Sequence, residues 1–251
     1  MIFDRPEVIG HRGAGRGVVE GVQENTVASF RAAVAAGATW VEVDVRRSSD
    51  DTLVVYHDAA LPDGRAIVDL SAQECHVAGV ATLAEVLAAL PPEIGVDFDV
   101  KTVMEDATDA PHRHTSTLLV PVLRRERDNQ RRIFVASFDP AVALTVQREA
   151  PGVAVAWMPY VRSSLDQAIP GAAGMGAQVV CFDARALGVA GDAPDPRHRS
   201  IDYAVELSHR AGLAVVAWCP GPMDSVRFVE AGVDAVVVDD IPATLTALKE
   251  R

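Results

Sequence analysis

The sequence predicts an α/β protein, a single (β/α)8 TIM barrel that spans residues 1–251 as one domain. Eight short apolar runs rich in valine recur along the chain, and most are separated by segments with helix start and stop signals. Strands that are apolar on both faces and alternate with helices indicate a parallel sheet covered by helices. Eight such units in 251 residues suit a closed barrel better than an open, doubly wound sheet.

The individual elements follow from these runs and signals. The predicted strands are Glu7–Gly10, Trp40–Val45, Gly95–Val100, Ile133–Ser137, Val153–Met158, Gln178–Phe182, Leu213–Trp218 and Asp234–Val238. The expected helix signals are Asn25 before residues 26–36 with Gly37 behind them, a Thr82/Glu85 capping box opening residues 83–90, Asp139 and Pro140 before residues 141–150, and the stops Gly212 and Gly232.

The alternation is interrupted after the second strand. Residues 53–56 read as a hairpin-like return rather than a helix, so we expect a small hairpin and loop insertion there. A long irregular stretch is expected over residues 59–81. Two further breaks, residues 102–115 and 187–199, follow the third and sixth strands and therefore belong at the carboxyl end of a barrel, where active sites lie.

Composition excludes several kinds of partner. A formal net charge of -12 argues against nucleic acid. No apolar run approaches the roughly 20 residues that span a bilayer, and the amino terminus lacks a secretory signal, so we expect a cytoplasmic protein without membrane insertion. The three cysteines have no close metal-ligand spacing, and each is interpreted as a small buried filler: Cys75, Cys181 and Cys219.

Acidic residues alternate along two predicted strands. Glu42 and Asp44 point the same way because side-chain direction repeats every second residue, and Asp97, Asp99 and Lys101 share a face of the next strand. Paired carboxylates in a barrel mouth repel each other, and a hard cation with oxygen ligands, Mg²⁺ or Ca²⁺, relieves that repulsion. The alternative is a structural ion pair inside the barrel.

Two histidines lie where a strand gives way to a loop. His11 follows the first strand and His57 follows the hairpin-like return, so both neighbour strands that carry acids. Imidazole titrates near neutral pH, and two such rings can serve as the base and the acid of one reaction. Arg12 offers a bidentate donor for phosphate oxygens, and its alternative role is an ion pair with a nearby acid.

These residues form part of an ordered series of motifs, which are His11-Arg12-Gly13, Glu24-Asn25-Thr26, Ser29-Phe30, Glu42-Val43-Asp44, His57-Asp58, residues 81–87, Asp99-Val100-Lys101, Ser137-Phe138-Asp139, Trp218, Gly232-Val233-Asp234 and Asp240-Ile241-Pro242. The series covers nearly the whole chain. It resembles the glycerophosphodiester phosphodiesterase family.

The resemblance implies a β/α barrel that uses a divalent cation to hydrolyse a phosphodiester to an alcohol and sn-glycerol 3-phosphate. It implies that His11 and His57 are the acid-base pair. The remaining roles it implies are metal ligation by Glu42, Asp44 and Asp99 and substrate or phosphate contact by Arg12, Lys101 and Trp218. The expected first nucleophile is the glycerol 2-hydroxyl, which gives a cyclic phosphate that water opens, and direct attack by water would use the same residues.

Three features depart from the common family pattern. The acid before Lys101 is usually Glu and is here Asp99, one methylene shorter, so the metal shifts, a water intervenes or Asp97 assists. The loop over residues 13–23 is longer and richer in glycine. After Trp218 the family commonly has threonine, whereas this chain has Cys219.

Other functions remain open at this point. The same site could cleave a lysophospholipid in the manner of a phospholipase D, or perform a cyclising transfer, but an acyl chain needs an apolar lip and residues 102–111 and 191–200 are polar. A non-catalytic barrel that binds a phosphorylated small molecule is the third possibility. The leaving alcohol, the choice between Mg²⁺ and Ca²⁺, and the oligomeric state are not predicted.

Overall fold

A closed barrel of eight parallel strands forms the centre of the chain, as the sequence predicts. The computed structural model describes residues 2–4, 6–161, 163–189 and 199–250. The barrel strands are β1 (Glu7–Gly10), β2 (Trp40–Arg47), β3 (Gly95–Val100), β4 (Ile133–Ser137), β5 (Ala154–Trp157), β6 (Val179–Asp183), β7 (Ala214–Trp218) and β8 (Ala235–Val238). Strand β1 pairs with both β8 and β2, which closes the ring. Each predicted strand overlaps an observed one.

Helices follow the strands and cover the outside of the barrel. They are α1 (Val27–Ala35), α2 (Ala72–Val77), α3 (Leu83–Ala89), α4 (Thr115–Asp128), α5 (Pro140–Glu149), α6 (Leu165–Gly174), α7 (Ile201–Arg210), α8 (Pro222–Glu230) and α9 (Ile241–Lys249). Within the described ranges, no helix combines the length and apolarity needed to cross a bilayer.

The predicted cap of α1 is wrong by one residue. Thr26 is the N-cap, and its hydroxyl accepts a hydrogen bond from the Ser29 N–H at 3.2 Å. Asn25 instead takes a left-handed backbone with φ 56°. Its side-chain amide donates to Asp44 Oδ2 at 2.7 Å. Asn25 is therefore unavailable as a cap because its side chain supports a carboxylate of the barrel.

The insertion after β2 is more ordered than expected. Leu53–Val55 pairs antiparallel with the end of β2, which confirms the hairpin. Residues 59–81, expected to be irregular, contain a 3-10 turn at Ile67–Asp69 and the helix α2, which begins with a capping box between Ser71 and Glu74. The prediction that this stretch is irregular was therefore wrong. At six residues α2 is too short to produce a helical hydrophobic period in the sequence. Most of the break over residues 187–199, namely residues 190–198, lies outside the described residues.

The barrel interior is apolar at its amino end and polar at its carboxyl end. Phe3, Trp40 and Phe134 pack against one another with ring centroids 5.4–5.9 Å apart. Gly95 leaves room for this cluster, since a Cβ there would lie 2.2 Å from Trp40 Cδ2. The alternate residues of β2, such as Val43, face outward into the core beneath the helices. This arrangement leaves the inward acids of β2 and β3 at the opposite end.

Candidate active site at the carboxyl end of the barrel

A cavity of about 150 Å³ lies among the inward acids and the carboxyl ends of the strands. Seven of the eight site residues predicted from the sequence line it: His11, Arg12, Glu42, His57, Asp99, Lys101 and Trp218. The eighth, Asp44, is fully buried, and its carboxylate lies within 4.8 Å of those of Glu42 and Asp99. All eight predicted residues are therefore brought together.

Strand register brings the acids together. Strands β2 and β3 are parallel neighbours, with Glu42 opposite Asp97 and Asp44 opposite Asp99. Because these positions share one face of the sheet, four carboxyl groups meet inside the barrel. This confirms that the alternating acids of both strands point into the barrel.

The four acids of the cluster do not ionise equally readily. Burial raises the pKa of Glu42 and Asp97 well above their usual range and also raises that of Asp99. Burial opposes ionisation of Asp44 too, but the charges of Lys101 and His57 and the hydrogen bonds from Lys101 and Asn25 outweigh it, and its pKa falls to about 2. Asp44 is therefore the acid of this cluster that ionises most readily.

Lys101 is the cation that lies among these acids. Its Nζ lies 2.9 Å from Asp44 Oδ1 and also pairs with Asp99. Burial lowers the pKa of the ammonium group, but the neighbouring acids more than compensate and raise it. The structural ion pair that was the alternative interpretation of this cluster is thus formed, by Lys101 and two of the acids.

Several features of the cluster fit a divalent cation. Within the described part of the chain, Asp97 Oδ1 and Asp99 Oδ1 are buried without a hydrogen-bond partner. Buried oxygens without donors are costly, and a hard cation coordinated by carboxylates satisfies them. The closely grouped oxygens of Glu42, Asp44 and Asp99 are the candidate ligands, and the shorter Asp99 still reaches the group.

His11 presents its two ring nitrogens to different neighbours. Its backbone N–H donates to Val238 O at 3.0 Å, which fixes the residue at the β1–β8 seam. Ring Nδ1 lies 2.7 Å from Asp239 Oδ1, and Nε2 lies 3.2 Å from Arg12 Nε. Burial opposes ionisation of Asp239, but the hydrogen bonds and charge interactions with His11 and Arg16 together outweigh it and lower the carboxyl pKa. An ionised Asp239 makes Nδ1 the proton-bearing nitrogen and leaves Nε2 as an acceptor.

Sequence reasoning missed Asp239, which lies 228 positions from His11. The signal that could have found it is barrel closure, because the residues that follow β1 and β8 become neighbours. The glycine-rich loop after β1 supports the same carboxylate, since the Arg16 N–H donates to Asp239 Oδ1 at 2.8 Å. Gly15 permits this approach, because a Cβ there would lie 2.3 Å from Asp239 O.

Cys219 also differs from its predicted role. Cys75 and Cys181 are buried as expected, but Cys219 is only partly buried, and its Sγ lies 3.6 Å from His11 Nδ1. Its backbone N–H donates to Val237 O at 2.8 Å, which fixes it at the end of β7 beside β8. Cys219 is therefore a neighbour of the site rather than a filler of the core.

His57 stands on the hairpin insertion and is held mainly through its main chain. Both Nε and Nη2 of buried Arg46 donate to the His57 carbonyl oxygen, at 3.0 and 2.6 Å. Its ring Nδ1 lies 2.7 Å from Asp58 Oδ1, but the Asp58 side chain is 72% exposed. This ring is thus more open to solvent than that of His11.

Arg12 bridges the histidine and the acids. Its backbone N–H donates to Glu42 Oε2 at 2.7 Å, and its Nη1 donates to Glu24 Oε1 at 2.8 Å. Its Nε lies 3.6 Å from Asp44 Oδ2. The ion pair that was the alternative role of Arg12 is therefore present, and Glu24 is a further residue of the site.

Comparison with known proteins agrees with this geometry. Residues 11–243 match the Glycerophosphoryl diester phosphodiesterase family. Glycerophosphocholine phosphodiesterase GPCPD1 of Homo sapiens is 51% identical over 57 residues, which are 21% of this chain and 8% of that protein. Glycerophosphocholine phosphodiesterase GDE1 of Candida albicans is 51% identical over 55 residues, 20% of this chain and 5% of that protein. The matched region therefore spans less than a tenth of either relative.

Two solved structures share the fold. A glycerophosphodiester phosphodiesterase from Parabacteroides distasonis has a TM-score of 0.79 at 23% identity, covering 99% of both chains. A phosphodiesterase from Oleispira antarctica, solved in complex with the product sn-glycerol-3-phosphate, has a TM-score of 0.78 at 21% identity, covering 98% of this chain and 97% of that one. With the family match over nearly its whole length, the chain belongs to the glycerophosphoryl diester phosphodiesterase family, a family of phosphoric diester hydrolases.

Proposed function

We propose that this chain hydrolyses glycerophosphodiesters to an alcohol and sn-glycerol 3-phosphate with one divalent cation, Mg²⁺ or Ca²⁺. The observation that carries the proposal is that both histidines line one cavity with a buried cluster of carboxylates. The product bound to the Oleispira antarctica phosphodiesterase supports a glycerol phosphate as the common half of the substrate. A cytoplasmic location stays a prediction from the sequence.

The proposed cation ligands are Glu42, Asp44 and Asp99. When bound, such a cation neutralises phosphate charge and lowers the pKa of a nearby hydroxyl. The unpartnered oxygens described above support this assignment, and so does the number of acids, which are four where the cations that pair with them are Lys101 and Arg12. Arg12 and Lys101 would contact the phosphate oxygens. To reach the phosphate, the ammonium group of Lys101 would turn away from the two acids with which it pairs.

The two histidines have complementary proposed tasks. His11 accepts a proton from the attacking hydroxyl through Nε2, since ionised Asp239 keeps the other proton on Nδ1. His57 protonates the leaving alkoxide, and its greater exposure suits a group that delivers protons from solvent. Attack by the glycerol 2-hydroxyl gives a cyclic phosphate that water then opens, and direct attack by water would use the same two groups.

A lysophospholipid is the second candidate substrate, and one observation favours it. Met104, Phe138 and Tyr160 follow β3, β4 and β5 at the carboxyl end and are 89%, 43% and 67% exposed. Phe138 also packs edge-on against Trp218, with ring centroids 6.2 Å apart. The loop after β3 is thus less uniformly polar at its surface than its sequence indicated, and these side chains offer an apolar lip for an acyl chain.

The test is a substrate panel with matched variants. Glycerophosphocholine, glycerophosphoethanolamine and lysophosphatidylcholine are each incubated with Mg²⁺, Ca²⁺ or a chelator, while sn-glycerol 3-phosphate, cyclic phosphate and free alcohol are measured. We expect cation-dependent release of sn-glycerol 3-phosphate from the two soluble diesters. Preferred turnover of lysophosphatidylcholine, reduced in Phe138→Ala, would select the second candidate. Binding of the diesters without turnover would select a non-catalytic barrel.

A further inference from the structure

A second group of metal-ligating side chains lies at the wall of the catalytic cavity, which two of its members line. It consists of His11 Nδ1, Cys219 Sγ and one carboxylate oxygen of Asp239, all within 4.8 Å of one another. The three residues follow β1, β7 and β8, which are adjacent strands of the closed barrel. None of the three belongs to the carboxylate cluster of Glu42, Asp44 and Asp99.

The spacing of these atoms is close to that of a tetrahedral zinc site. Bonds of about 2.0 Å to nitrogen and about 2.3 Å to sulfur put those two ligands about 3.6 Å apart across a tetrahedral ion. The distance from Cys219 Sγ to His11 Nδ1 is 3.6 Å. The distance from His11 Nδ1 to Asp239 Oδ1 is 2.7 Å and has to lengthen by about 0.6 Å to fit the same geometry, which a side-chain rotation of the partly exposed Asp239 would supply.

The three residues are also held in place before any ion arrives. The backbone N–H groups of His11 and Cys219 donate to Val238 O and Val237 O. The Asp239 carboxylate accepts the Arg16 N–H. Ligands that are fixed in this way lose little conformational entropy on binding a metal.

We propose that His11, Cys219 and Asp239 form a zinc site that is separate from the carboxylate cluster and inhibits the enzyme when it is occupied. A thiol, an imidazole and a carboxylate are the ligands of a borderline-soft cation such as Zn²⁺. Mg²⁺ and Ca²⁺ prefer oxygen ligands and compete poorly for this set.

The thiol must give up its proton to the ion. Burial and the neighbouring Asp239 charge raise the pKa of Cys219 to about 12, so the free thiol is protonated. On binding, a sulfur–zinc bond forms, the S–H bond breaks, and the proton passes to solvent with no change of oxidation state. Only a cation with high affinity for thiolate supports this exchange, which again selects Zn²⁺ over Mg²⁺.

Inhibition follows from the chemistry of the His11 ring and rests on the proposed function. To bind zinc, Nδ1 must release the proton that it shares with Asp239. The neutral ring then carries its one proton on Nε2, the nitrogen that lies beside Arg12 Nε, so the ring changes tautomer with no net gain or loss of protons. A ring in that state cannot accept a proton through Nε2. The enzyme would then keep its cation ligands and its phosphate contacts but lose its base.

The binding test uses Co²⁺, whose bond to a thiolate produces an intense charge-transfer absorption band in the near ultraviolet. The metal-free 251-residue chain is titrated with Co²⁺, and then with Zn²⁺ to displace it. We expect the band in the wild type and in Cys181→Ala, whose sulfur lines the catalytic cavity. We expect no band in Cys219→Ser and about 10-fold weaker binding or more in Asp239→Asn. Thermal melts establish that each variant is folded.

The inhibition test measures glycerophosphodiester turnover in Mg²⁺ with rising Zn²⁺. Cys219→Ser should need at least about 10-fold more zinc than the wild type for half-inhibition. A charge-transfer band that persists in Cys219→Ser or is missing from the wild type would overturn the site, as would equal zinc sensitivity of the two enzymes. If the band behaves as expected but no protein turns over substrate, the zinc site stands and the proposed function fails.

Discussion

Each of the two histidines of the site pairs with an aspartate at the same distance, but the two pairs differ in their exposure to solvent. Each ring places Nδ1 2.7 Å from an aspartate oxygen, Asp239 for His11 and Asp58 for His57. The His11 side chain is 10% exposed and that of His57 is 36% exposed. Asp239 is 39% exposed and Asp58 is 72% exposed.

This contrast shows that a hydrogen-bond length alone does not tell how strongly a residue is held. Solvent screens the exposed pair, so Asp58 contributes little to the orientation of His57. His11 is oriented through its ring, whereas His57 is positioned through its main chain by Arg46. The two residues should therefore respond differently when their supports are removed.

Loss of either ring gives the largest expected effect. His11→Ala and His57→Ala should each reduce kcat by about 10²- to 10⁴-fold, because each removes one proton transfer. Circular dichroism melts should show that both variants remain folded. Full activity in either variant would reject the paired acid-base role.

The next prediction separates the two aspartates. Asp239→Asn should lower kcat by about 10- to 100-fold, because the buried His11 loses the charge that fixes its tautomer. Asp58→Asn, the matched substitution on the exposed pair, should change kcat by less than about 3-fold. Steady-state kinetics of both variants check this prediction. Equal losses of kcat would contradict the proposed difference between the buried and the exposed pair.

Substitution of Arg46 should lower kcat by a smaller factor, because Arg46 supports only His57. Arg46→Met keeps much of the buried side chain but removes both donors to the His57 carbonyl oxygen, so the ring is less well positioned. We expect kcat to fall about 3- to 10-fold. In the double variant Arg46→Met/Asp239→Asn, the two fold-reductions in kcat should multiply, because Arg46 and Asp239 support different histidines. A loss equal to that of Asp239→Asn alone would contradict independent supports.

The smallest effect concerns acid stability. The lowered pKa of Asp239 stabilises the folded chain above the ordinary carboxyl pKa of 3.8, and this contribution is lost as pH falls through the lowered value. Wild type should therefore exceed Asp239→Asn in free energy of unfolding by less than about 1 kcal/mol near neutral pH, since the side chain is partly exposed. Urea titrations should show the difference shrinking below about pH 4. A difference that grows on acidification would contradict the ion pair.

The barrel and the grouping of the candidate site residues could be predicted from the sequence, because both depend on local patterns. The period of two along β2 and β3 placed Glu42 and Asp44 on one face, and the apolar runs located the strands. The sequence did not show which partner a polar side chain would contact. Asn25 looked like a helix cap, but a left-handed backbone turns it toward Asp44.

The parts that were missed depend on contacts between distant segments. Asp239 and Cys219 meet His11 only because closure of the barrel brings β7 and β8 beside β1. No spacing along the chain reports such a contact. The helix α2 was missed for a different reason, since its six residues are fewer than two helical turns and carry little periodic signal.

The central claim is that one divalent cation binds the carboxylate cluster between the two histidines. Calorimetric titration of Mg²⁺ and Ca²⁺ into wild type, Asp44→Asn and His11→Ala, with turnover measured in parallel, tests it most directly. The account predicts one cation per chain in wild type and His11→Ala, little or none in Asp44→Asn, and strong loss of turnover in both variants. Unchanged cation binding in Asp44→Asn, or full turnover in the presence of a chelator, would contradict it.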